Sequence, residues 1–277
     1  MVYHDKNSLG QNFIKYRGLV SELIAAADLK KEDLVIEIGS GKNIITNELR
    51  KVVDNVIAIE KDPELAQKYG AICIDFLDYE LPKEKYKIFA NIPFSITAEI
   101  MNKILTSPNL PEEMYLIMQK ETAEKFAGIP HETKSSILTK PWFEIEVLGQ
   151  IDRTNFTLKP QIKIVFVKFV KRQSAFIKDE DKIFFRHFVN YGFAAWAPTV
   201  MESYKKVLTY DQRKNIQKML KIGEVKPTEL SFDKWLLLYK SCQKILGESQ
   251  RKLIRRPTSI GSNNRAIDQT RIGRGQK

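Results

Sequence analysis

Apolar runs that end in a polar residue or in glycine recur along the first half of the chain. Leu34–Ile38 is almost unbroken in its apolar character and closes on Gly39-Ser40-Gly41. Such a run is typical of a strand buried on both faces, as in a parallel sheet covered by helices. Three more runs repeat the pattern: Val56–Ile59 before Glu60, Ala71–Ile74 before Asp75, and Tyr86–Ala90 before Asn91. Because ligands bind at the carboxyl ends of strands in open α/β sheets, we expect these polar residues to face a common site.

The spacers between these runs are long enough for helices, so the alternation predicts an α/β fold with a doubly wound, mostly parallel sheet. Met114–Met118 adds a fifth strand. Apolar and polar residues alternate in Phe143–Leu148 and in Lys163–Phe169, which is typical of an antiparallel pair. That pair brings the predicted sheet to seven strands.

The pattern changes after Lys171-Arg172. Residues 178–246 show helical periodicity without a convincing strand. From Gly247 the chain is rich in Gly, Ser, Asn and Arg, with eight Lys and Arg against two acidic residues, which predicts a flexible basic tail. We therefore expect three parts: an α/β domain with the ligand site over residues 1–172, a small all-α domain over 173–246, and the tail over 247–277.

Charge narrows the choice of partner. The 277 residues carry a net charge of +11 at a pI near 9.4. This surplus favours a polyanion such as nucleic acid or an anionic membrane surface, with solubility alone as the other explanation. No apolar run is long enough to span a membrane, and the first residues lack the apolar core of a secretion signal. Two distant cysteines and three scattered histidines favour a reduced, cytoplasmic setting and argue against a metal site.

Glycines and acids at the predicted strand ends indicate a ligand that contains ribose. Gly39 and Gly41 let the backbone turn tightly and approach a ligand, although a purely structural turn has the same sequence. Glu60 follows at the spacing of an acid that accepts hydrogen bonds from ribose hydroxyls, a group shared by NAD and S-adenosylmethionine (SAM). Asp75 can accept from an adenine amino group, as can many a surface acid after a strand.

Asn91-Ile92-Pro93-Phe94 distinguishes between these ligands. An Asn carboxamide followed by a prolyl turn aims side-chain and backbone carbonyls into one small space. There they can hold an exocyclic amine through its protons and keep its lone pair directed at a methyl donor. The aromatic ring that follows can stack on a base taken out of its helix, a contact worth about 1–3 kcal/mol. The alternative is a proline-marked strand end with a core Phe, and the preceding glycine turn and acidic strand ends favour methyl transfer.

A series of motifs occurs in one order along the chain: Gln11-Asn12-Phe13-Ile14, Glu37-Ile38-Gly39-Ser40-Gly41-Lys42, Glu60, Asp75-Phe76, Asn91-Ile92-Pro93-Phe94-Ser95-Ile96-Thr97 and Phe156…Lys159-Pro160. Together they resemble the rRNA adenine N6-methyltransferases. Within that family the chain is most similar to the Erm type, which modifies 23S rRNA and blocks macrolide, lincosamide and streptogramin B binding. The likeness runs from about residue 8 to about residue 246.

The resemblance implies a Rossmann-like SAM-dependent methyltransferase fold and a role for each matched position. Asn91 and the carbonyl of Ile92 would hold the target amine, while Phe94 and Phe156 would sandwich the flipped base. The implied catalytic set is Asn91, Ile92, Pro93, Phe94 and Phe156. The implied cofactor-binding set is Gln11, Asn12, Ile14, Gly39, Gly41, Glu60, Asp75 and Asn91. No dedicated general base is implied, because the sulfonium is already a good leaving group and positioning does most of the work.

The chain departs from the family pattern at several positions. Asn43 stands where a further glycine is expected, although Asn tolerates left-handed backbone. Phe94 replaces the usual Tyr, which keeps the stacking ring and loses a hydroxyl. The stretch from Glu60 to Asp75 is shorter than in Erm enzymes. Thr157-Leu158 stand where the family has a proline-rich lead-in.

Basic residues around these motifs are candidates for phosphate contacts with 23S rRNA or its precursor, although such clusters are more often solvated. They are Lys134, Lys140, Lys159, Lys163, Lys168, Lys171, Arg172, Arg251, Arg255 and Arg256. Three other functions stay open: a housekeeping dimethylase of small-subunit rRNA, a DNA adenine methyltransferase, and a non-catalytic nucleic-acid binder. The intact acid, acid and Asn series argues against the binder. We expect a monomer that methylates 23S rRNA and thereby confers antibiotic resistance, without a metal or a membrane.

Overall fold

The computed structural model describes residues 13–158, 160–194 and 197–256, which form two compact units. The first unit holds one sheet with the strands β1 Leu34–Ile38, β2 Asn55–Glu60, β3 Ile72–Cys73, β4 Lys87–Asn91, β5 Glu113–Gln119, β6 Phe143–Ile151 and β7 Ile164–Lys171. Their order across the sheet is β3-β2-β1-β4-β5-β7-β6. Neighbours are parallel from β3 to β5, and β7 is antiparallel to both β5 and β6. The predicted seven-stranded, mostly parallel sheet is therefore confirmed.

Burial across the sheet follows the order of its strands. The central strands β1, β4 and β5 are buried along nearly their whole length, as their apolar runs predict. β3 is shorter than the predicted run Ala71–Ile74, because it lies at an edge beside β2 and both of its residues are exposed. An uncovered edge strand gains little from burial, so its pairing extends over two residues only. β6 forms the opposite edge and is interrupted by a bulge between Val147 and Gly149.

Five helices accompany the strands of the first unit: α1 Arg17–Ala25, α2 Ile44–Leu49, α3 Pro63–Tyr69, α4 Thr97–Thr106 and α5 Lys120–Ala127. The start of α3 is set by Asp62, whose carboxylate accepts the N–H groups of the first turn, and by Pro63. Gly70 ends the helix in the left-handed conformation, with φ of +69°. These caps fix the point at which the chain leaves β2, and so the position of Glu60.

A partly buried charge network lies at the amino ends of the central strands. The ammonium of Lys87, at the start of β4, is 2.9 Å from Asp33 and 2.8 Å from Glu113. Glu113 also accepts the hydroxyl of Tyr115 at 3.0 Å and lies 3.4 Å from the ammonium of Lys168. Burial opposes the ionisation of Glu113, but Lys87 outweighs it and lowers the pKa of the carboxyl. The network thus stabilises the amino ends of the central strands, whereas the predicted site lies at their carboxyl ends.

The second unit contains residues 131–138 and the chain from Ile177. Its helices are α6 Lys134–Thr139, whose last residue belongs to the first unit, α7 Lys182–Ala194, α8 Val200–Ser203, α9 Tyr210–Leu220, α10 Phe232–Ile245 and α11 Glu248–Arg255. Aromatic rings form its core: Phe188 stacks on Tyr204 with centroids 4.7 Å apart and meets Tyr239 at 5.4 Å. The prediction of a helical carboxyl-terminal region is confirmed for the residues that the structure describes.

A flexible tail is expected from Gly247, but Glu248–Arg255 instead form α11. Gln250 closes its first turn by accepting the N–H of Gly247 at 2.8 Å. Arg251 donates to two carbonyls at the end of α10 at 2.8 and 3.2 Å, and Ile254 is buried. These tertiary contacts stabilise a helix too short to form alone, so a periodicity search misses it. The rest of the predicted tail lies outside the described residues.

The border between the units also differs from the expected one at Arg172. The first unit continues to Phe176, whose N–H donates to the carbonyl of Pro141 at 3.0 Å and whose ring lies 4.6 Å from the Arg172 guanidinium. Periodicity along a chain does not show which unit a short connecting segment packs against, so it also misses the assignment of 131–138. In the described part of the chain, no helix is long and apolar enough to cross a membrane.

Candidate active site

A cavity of about 270 Å³ opens at the carboxyl edge of the sheet. β1 and β2 end level with each other, since Ile38 pairs with Ile59, and β4 runs alongside β1. The residues that follow these strand ends therefore meet at one place. Gly39, Glu60, Asp75, Asn91, Pro93 and Phe94 all lie on the cavity wall. The structure thus brings together most of the residues that the sequence predicts at the site.

The glycine turn after β1 is tied to the end of β2. Gly41 has φ of +52° and donates its N–H to Oε2 of Glu60 at 2.7 Å. Oε1 of Glu60 accepts the N–H of Asp62 at 2.9 Å, and the side chain is 5% exposed. Asn43 takes the left-handed conformation, with φ of +64°, as the sequence allows at the position of the missing glycine. The carboxylate of Glu60 is thus fixed in place beneath the turn.

Three side-chain oxygens of the turn are buried and have no hydrogen-bond partner among the described residues: Glu37 Oε1, Ser40 Oγ and Asn43 Oδ1. The second carboxylate oxygen of Glu37 accepts the hydroxyl of Thr46. Burial raises the pKa of Glu37 to about 8. Buried polar atoms are nearly always hydrogen-bonded, so these three oxygens are exceptions, and none of the three residues lines the cavity.

Asp75 lies beyond β3, where it is held by two donors. Its Oδ1 accepts the N–H of Leu77 at 2.9 Å, and its Oδ2 accepts the ammonium of Lys61 at 2.6 Å. The hydrogen bond from Lys61, followed by that from Leu77, lowers the pKa of this carboxyl, so it is ionised at neutral pH. Lys61 also lies on the cavity wall, although no pattern in the sequence predicts it there.

Asn91-Ile92-Pro93-Phe94 leaves β4 and enters a single 3₁₀ turn, Phe94–Ile96. Ile92 donates its N–H to Ile117 of β5 at 3.1 Å, which anchors the segment to the sheet. The carbonyl of Pro93 accepts the N–H of Ile96 at 3.2 Å and the hydroxyl of Thr97 at 3.0 Å. Thr97, a residue without a predicted role, therefore fixes the shape of the segment.

The aromatic residues are arranged differently from the prediction. Phe94 lies on the cavity wall and packs from there against an apolar cluster that contains Phe156. Phe156 itself is fully buried, does not line the cavity, and forms an isolated β-bridge with Ile14, which is also buried. An aromatic ring gains most from burial in the core, and the bridge holds both residues there. The predicted second face for a base and the predicted role of Ile14 at the cofactor are thus not seen.

Phe13 lines the cavity where Ile14 is predicted to do so. A Cβ added to Gly41 would lie 2.4 Å from Cε1 of its ring, so the ring rests on the glycine turn. The ammonium of Lys42 is 5.3 Å from the centre of the ring. The signal for Phe13 is its place in the motif that begins at Gln11, but Gln11 and Asn12 themselves lie outside the described residues.

Most predicted phosphate-binding residues of the first unit already have internal partners. Lys168 lies near Glu113, Lys171 is 2.8 Å from Glu112, and Arg172 is 2.7 Å from Glu144. Lys140 is half-buried and Lys163 is exposed, whereas Lys159 lies outside the described residues. Lys163 is thus the residue of this set whose side chain the structure shows open to solvent.

The predicted phosphate-binding residues of the second unit also include some with internal partners and some that are exposed. The Arg251 guanidinium is used by carbonyls of α10 and lies 4.8 Å from the centre of the Phe184 ring. Arg255 is half-exposed, lies 5.5 Å from the same ring and is 3.1 Å from Glu248. Lys134 and Arg256 are exposed. Arg251 therefore has a structural role in addition to its charge.

The ribosomal RNA adenine dimethylase family model matches residues 3–244 of the chain. The chain belongs to that family. As a member it is a methyltransferase that acts on adenine in ribosomal RNA, which confirms the family and the activity that its motifs predict. The family and the fold imply SAM as the methyl donor.

Relatives of this family carry two kinds of name. The rRNA adenine N-6-methyltransferase of Limosilactobacillus reuteri is 30% identical over 242 residues, which cover 83% of this chain and 94% of the relative. One of the same name from Bacillus licheniformis is 25% identical over 84% of this chain and 85% of its own length. The ribosomal RNA small subunit methyltransferase A of Natranaerobius thermophilus is 24% identical over 86% of this chain and 91% of its own length. Sequence identity alone does not separate the two kinds.

Solved structures show the same fold in the family. The 23S rRNA methyltransferase ErmE has a TM-score of 0.71 at 22% identity, over 83% of this chain and 99% of its own. A dimethyladenosine transferase from Plasmodium falciparum has a TM-score of 0.70 at 21% identity, over 84% of this chain and 97% of its own. The Rossmann-like methyltransferase fold of the family is therefore that of this chain.

Proposed function

We propose that the chain methylates the N6 amino group of an adenine in 23S rRNA, with SAM as donor, and thereby confers resistance to macrolides, lincosamides and streptogramin B. The observation that carries the chemistry is the position of Asn91-Ile92-Pro93-Phe94 on the wall of a cavity whose other walls bear Glu60 and Asp75. The choice of 23S rRNA is supported by the Erm-like motifs and by relatives named rRNA adenine N-6-methyltransferase.

The target amine would be held by two oxygens, the side-chain carbonyl of Asn91 and the backbone carbonyl of Ile92. The carbonyl of Pro93 already accepts from Ile96 and Thr97, so we assign the second contact to the carbonyl of Ile92. Two acceptors on the two N–H groups would turn the lone pair of the nitrogen out of conjugation with the ring and toward the donor. Orientation of this kind is a large part of the rate enhancement for two bound reactants.

The donor would be held by the strand ends on the other side of the cavity. Glu60 suits the ribose hydroxyls and Asp75 the adenine amine, since both line the cavity, whereas the unpartnered oxygens of Glu37, Ser40 and Asn43 belong to residues that do not. The chemistry of these donors and acceptors fits SAM, which supplies a methyl group on a positively charged sulfur. The chain's own residues then need to bind, orient and exclude water, and a general base is not required by the arrangement.

Phe94 is the aromatic surface on which the flipped base would stack, a contact worth about 1–3 kcal/mol. Phe156 supports it from the apolar cluster against which Phe94 packs. Exposed cations outside the cavity, Lys134, Lys163 and Arg256, would contact phosphates and add affinity that falls with salt. The sequence beyond Arg256 adds further Lys and Arg residues.

The decisive experiment is expression in a macrolide-sensitive bacterium, with the Asn91→Ala variant as the matched control. We expect resistance and a reverse-transcription stop on 23S rRNA with the natural chain, and neither with the variant. A strain that stays sensitive and shows no stop, although the protein accumulates, would contradict the 23S assignment. The family activity would remain.

The second candidate is dimethylation of small-subunit rRNA, which relatives named ribosomal RNA small subunit methyltransferase A favour. Transfer of tritiated methyl groups to purified 16S and 23S rRNA, each naked and in subunits, separates the two. Incorporation confined to 16S rRNA or the small subunit would establish the second candidate.

A further inference from the structure

An ion pair lies in the part of the cavity that would hold the methyl donor. The ammonium of Lys61 is 2.6 Å from Oδ2 of Asp75, and both residues are part of the cavity wall. The carboxylate side chain is 20% exposed, whereas the Lys61 side chain is 63% exposed. One partner is thus held at the site while the other can leave it for solvent.

The turn that carries Asp75 is fixed by residues other than Lys61. Leu77 donates its N–H to Oδ1 of Asp75 at 2.9 Å, and its carbonyl accepts the ammonium of Lys103 at 2.8 Å. Lys103 also lies 5.8 Å from the centre of the Phe76 ring. Lys103 is therefore engaged elsewhere, and Lys61 is the cation that occupies the outward oxygen of Asp75.

We propose that Lys61 is a specificity-determining residue that competes with the adenine amine of the methyl donor for Oδ2 of Asp75. The inference rests on the proposed function, because it takes Asp75 as the acceptor for that amine. The adenine amine of the methyl donor must displace Lys61 or share Oδ2 of Asp75 with it, so the ion pair lowers the affinity of the site for an adenine. Its ammonium also offers a hydrogen-bond donor beside the carboxylate, so the pair tolerates a purine with an oxygen in place of the amine.

Both consequences can be tested with two ligands, because removal of the Lys61 ammonium should change the affinities for them in opposite directions. S-adenosylhomocysteine carries the amine, and S-inosylhomocysteine, its deaminated form, carries a 6-oxo group. An exposed ion pair contributes about 0.2–1 kcal/mol, so Lys61→Met is expected to tighten binding of the adenine ligand by about 1.4- to 5-fold. The same variant is expected to weaken binding of the 6-oxo ligand, because Asp75 then meets an acceptor without a compensating cation. A general loss of fold would weaken both.

The measurement is isothermal titration calorimetry on the full chain, with Lys68→Met as the control. Lys68 is an exposed lysine of α3 that does not line the cavity. Salt gives a second readout, because the Debye length falls from about 30 Å at about 0.01 M to about 3 Å at about 1 M. Added salt should bring the Kd of the natural chain toward that of Lys61→Met, relative to the control.

The outcomes are distinct. Equal affinities of the natural chain, Lys61→Met and Lys61→Gln for both ligands would overturn the inference. Weaker binding of S-adenosylhomocysteine by Lys61→Met would also overturn it, since Lys61 would then support the ligand rather than compete with it. If Asp75→Asn binds S-adenosylhomocysteine as tightly as the natural chain does, the assignment of Asp75 in the proposed function fails, and the inference fails with it.

Discussion

Replacement of Gly41 by Ala tests the geometry of the glycine turn. At φ of +52° a residue with a Cβ pays about 1–2 kcal/mol for the left-handed conformation. The new methyl group would lie 2.4 and 2.8 Å from two carbons of the Phe13 ring, which must retreat by roughly 1 Å to reach ordinary contact. Overpacking of this kind costs about 1–3 kcal/mol more, so we expect a total loss of about 2–5 kcal/mol in the stability of the first unit.

Two controls separate these contributions. Gly70 ends α3 with φ of +69° and has no atom within 4 Å of its added Cβ, so Gly70→Ala should lose only the backbone term of about 1–2 kcal/mol. In the background of Phe13→Ala, the clash at Gly41 disappears, and Gly41→Ala should then cost about the same as Gly70→Ala. The difference between the two backgrounds measures the contact of the ring with the turn.

Native-state hydrogen exchange of the β1 amides reports the unfolding free energy of the first unit without interference from the second. Titration with S-adenosylhomocysteine gives the parallel effect on binding, which we expect to weaken because Phe13 is part of the cavity wall. If Gly41→Ala and Gly70→Ala lose equal stability, or if the cost at Gly41 is unchanged by removal of the ring, Phe13 does not rest on the turn and the reasoning is refuted.

Three further predictions follow from contacts elsewhere. Thr97→Val should lower the rate of methyl transfer by about 2- to 12-fold in single-turnover assays, the equivalent of one hydrogen bond of about 0.5–1.5 kcal/mol to the Pro93 carbonyl. Thr97→Ser should retain the rate, and equal defects in both would contradict the role of the hydroxyl. The double variant Lys252→Glu, Arg256→Glu changes two exposed residues on α11 and at its end. It should weaken RNA binding and reduce the slope of log affinity against log salt concentration, and an unchanged slope would indicate that these residues are only solvated. Lys87→Met should lower the free energy of unfolding at neutral pH, and this loss should shrink as the pH falls below about 4. The reason is that the pKa of Glu113 is lower in the folded chain than in the unfolded chain, so the ion pair with Lys87 stops stabilising the fold once Glu113 is protonated. Urea unfolding across that range tests this.

The strand ends of the site were predictable because burial imposes a pattern that can be read directly. A strand covered on both faces needs a continuous apolar run, and the residue at its carboxyl end is where a polar ligand group can be placed. Gly39, Glu60 and Asn91 follow from that rule, and the structure brings them to one cavity. The same rule overestimates the β3 strand, because it carries no information about which strand lies at an edge.

Contacts between distant segments account for what the pattern misses. Ile14 is apolar and Phe156 is aromatic, and both belong to the predicted motifs. Their bridge to each other, with the hydrogen bonds from Thr157 to Phe13, places them in the core and Phe13 at the cavity. The ion pair between Lys61 and Asp75 depends on the conformation of the turn after β3, and the sequence pattern around the two residues does not predict that conformation. α11 is formed by contacts to α10 rather than by its own apolar spacing.

The bridge between Ile14 and Phe156 also bears on the order in which the protein is made. Thr157 donates both its N–H and its hydroxyl to the carbonyl of Phe13, across 144 positions of the chain. Phe13, which lies on the cavity wall, thus leaves the ribosome well before Thr157, the partner that holds it. A nascent chain that ends before Thr157 has the glycine turn and the Asn91 segment, yet not the residue that holds Phe13 in place. We therefore expect this cavity wall to be completed late in synthesis, after most of the first unit has appeared.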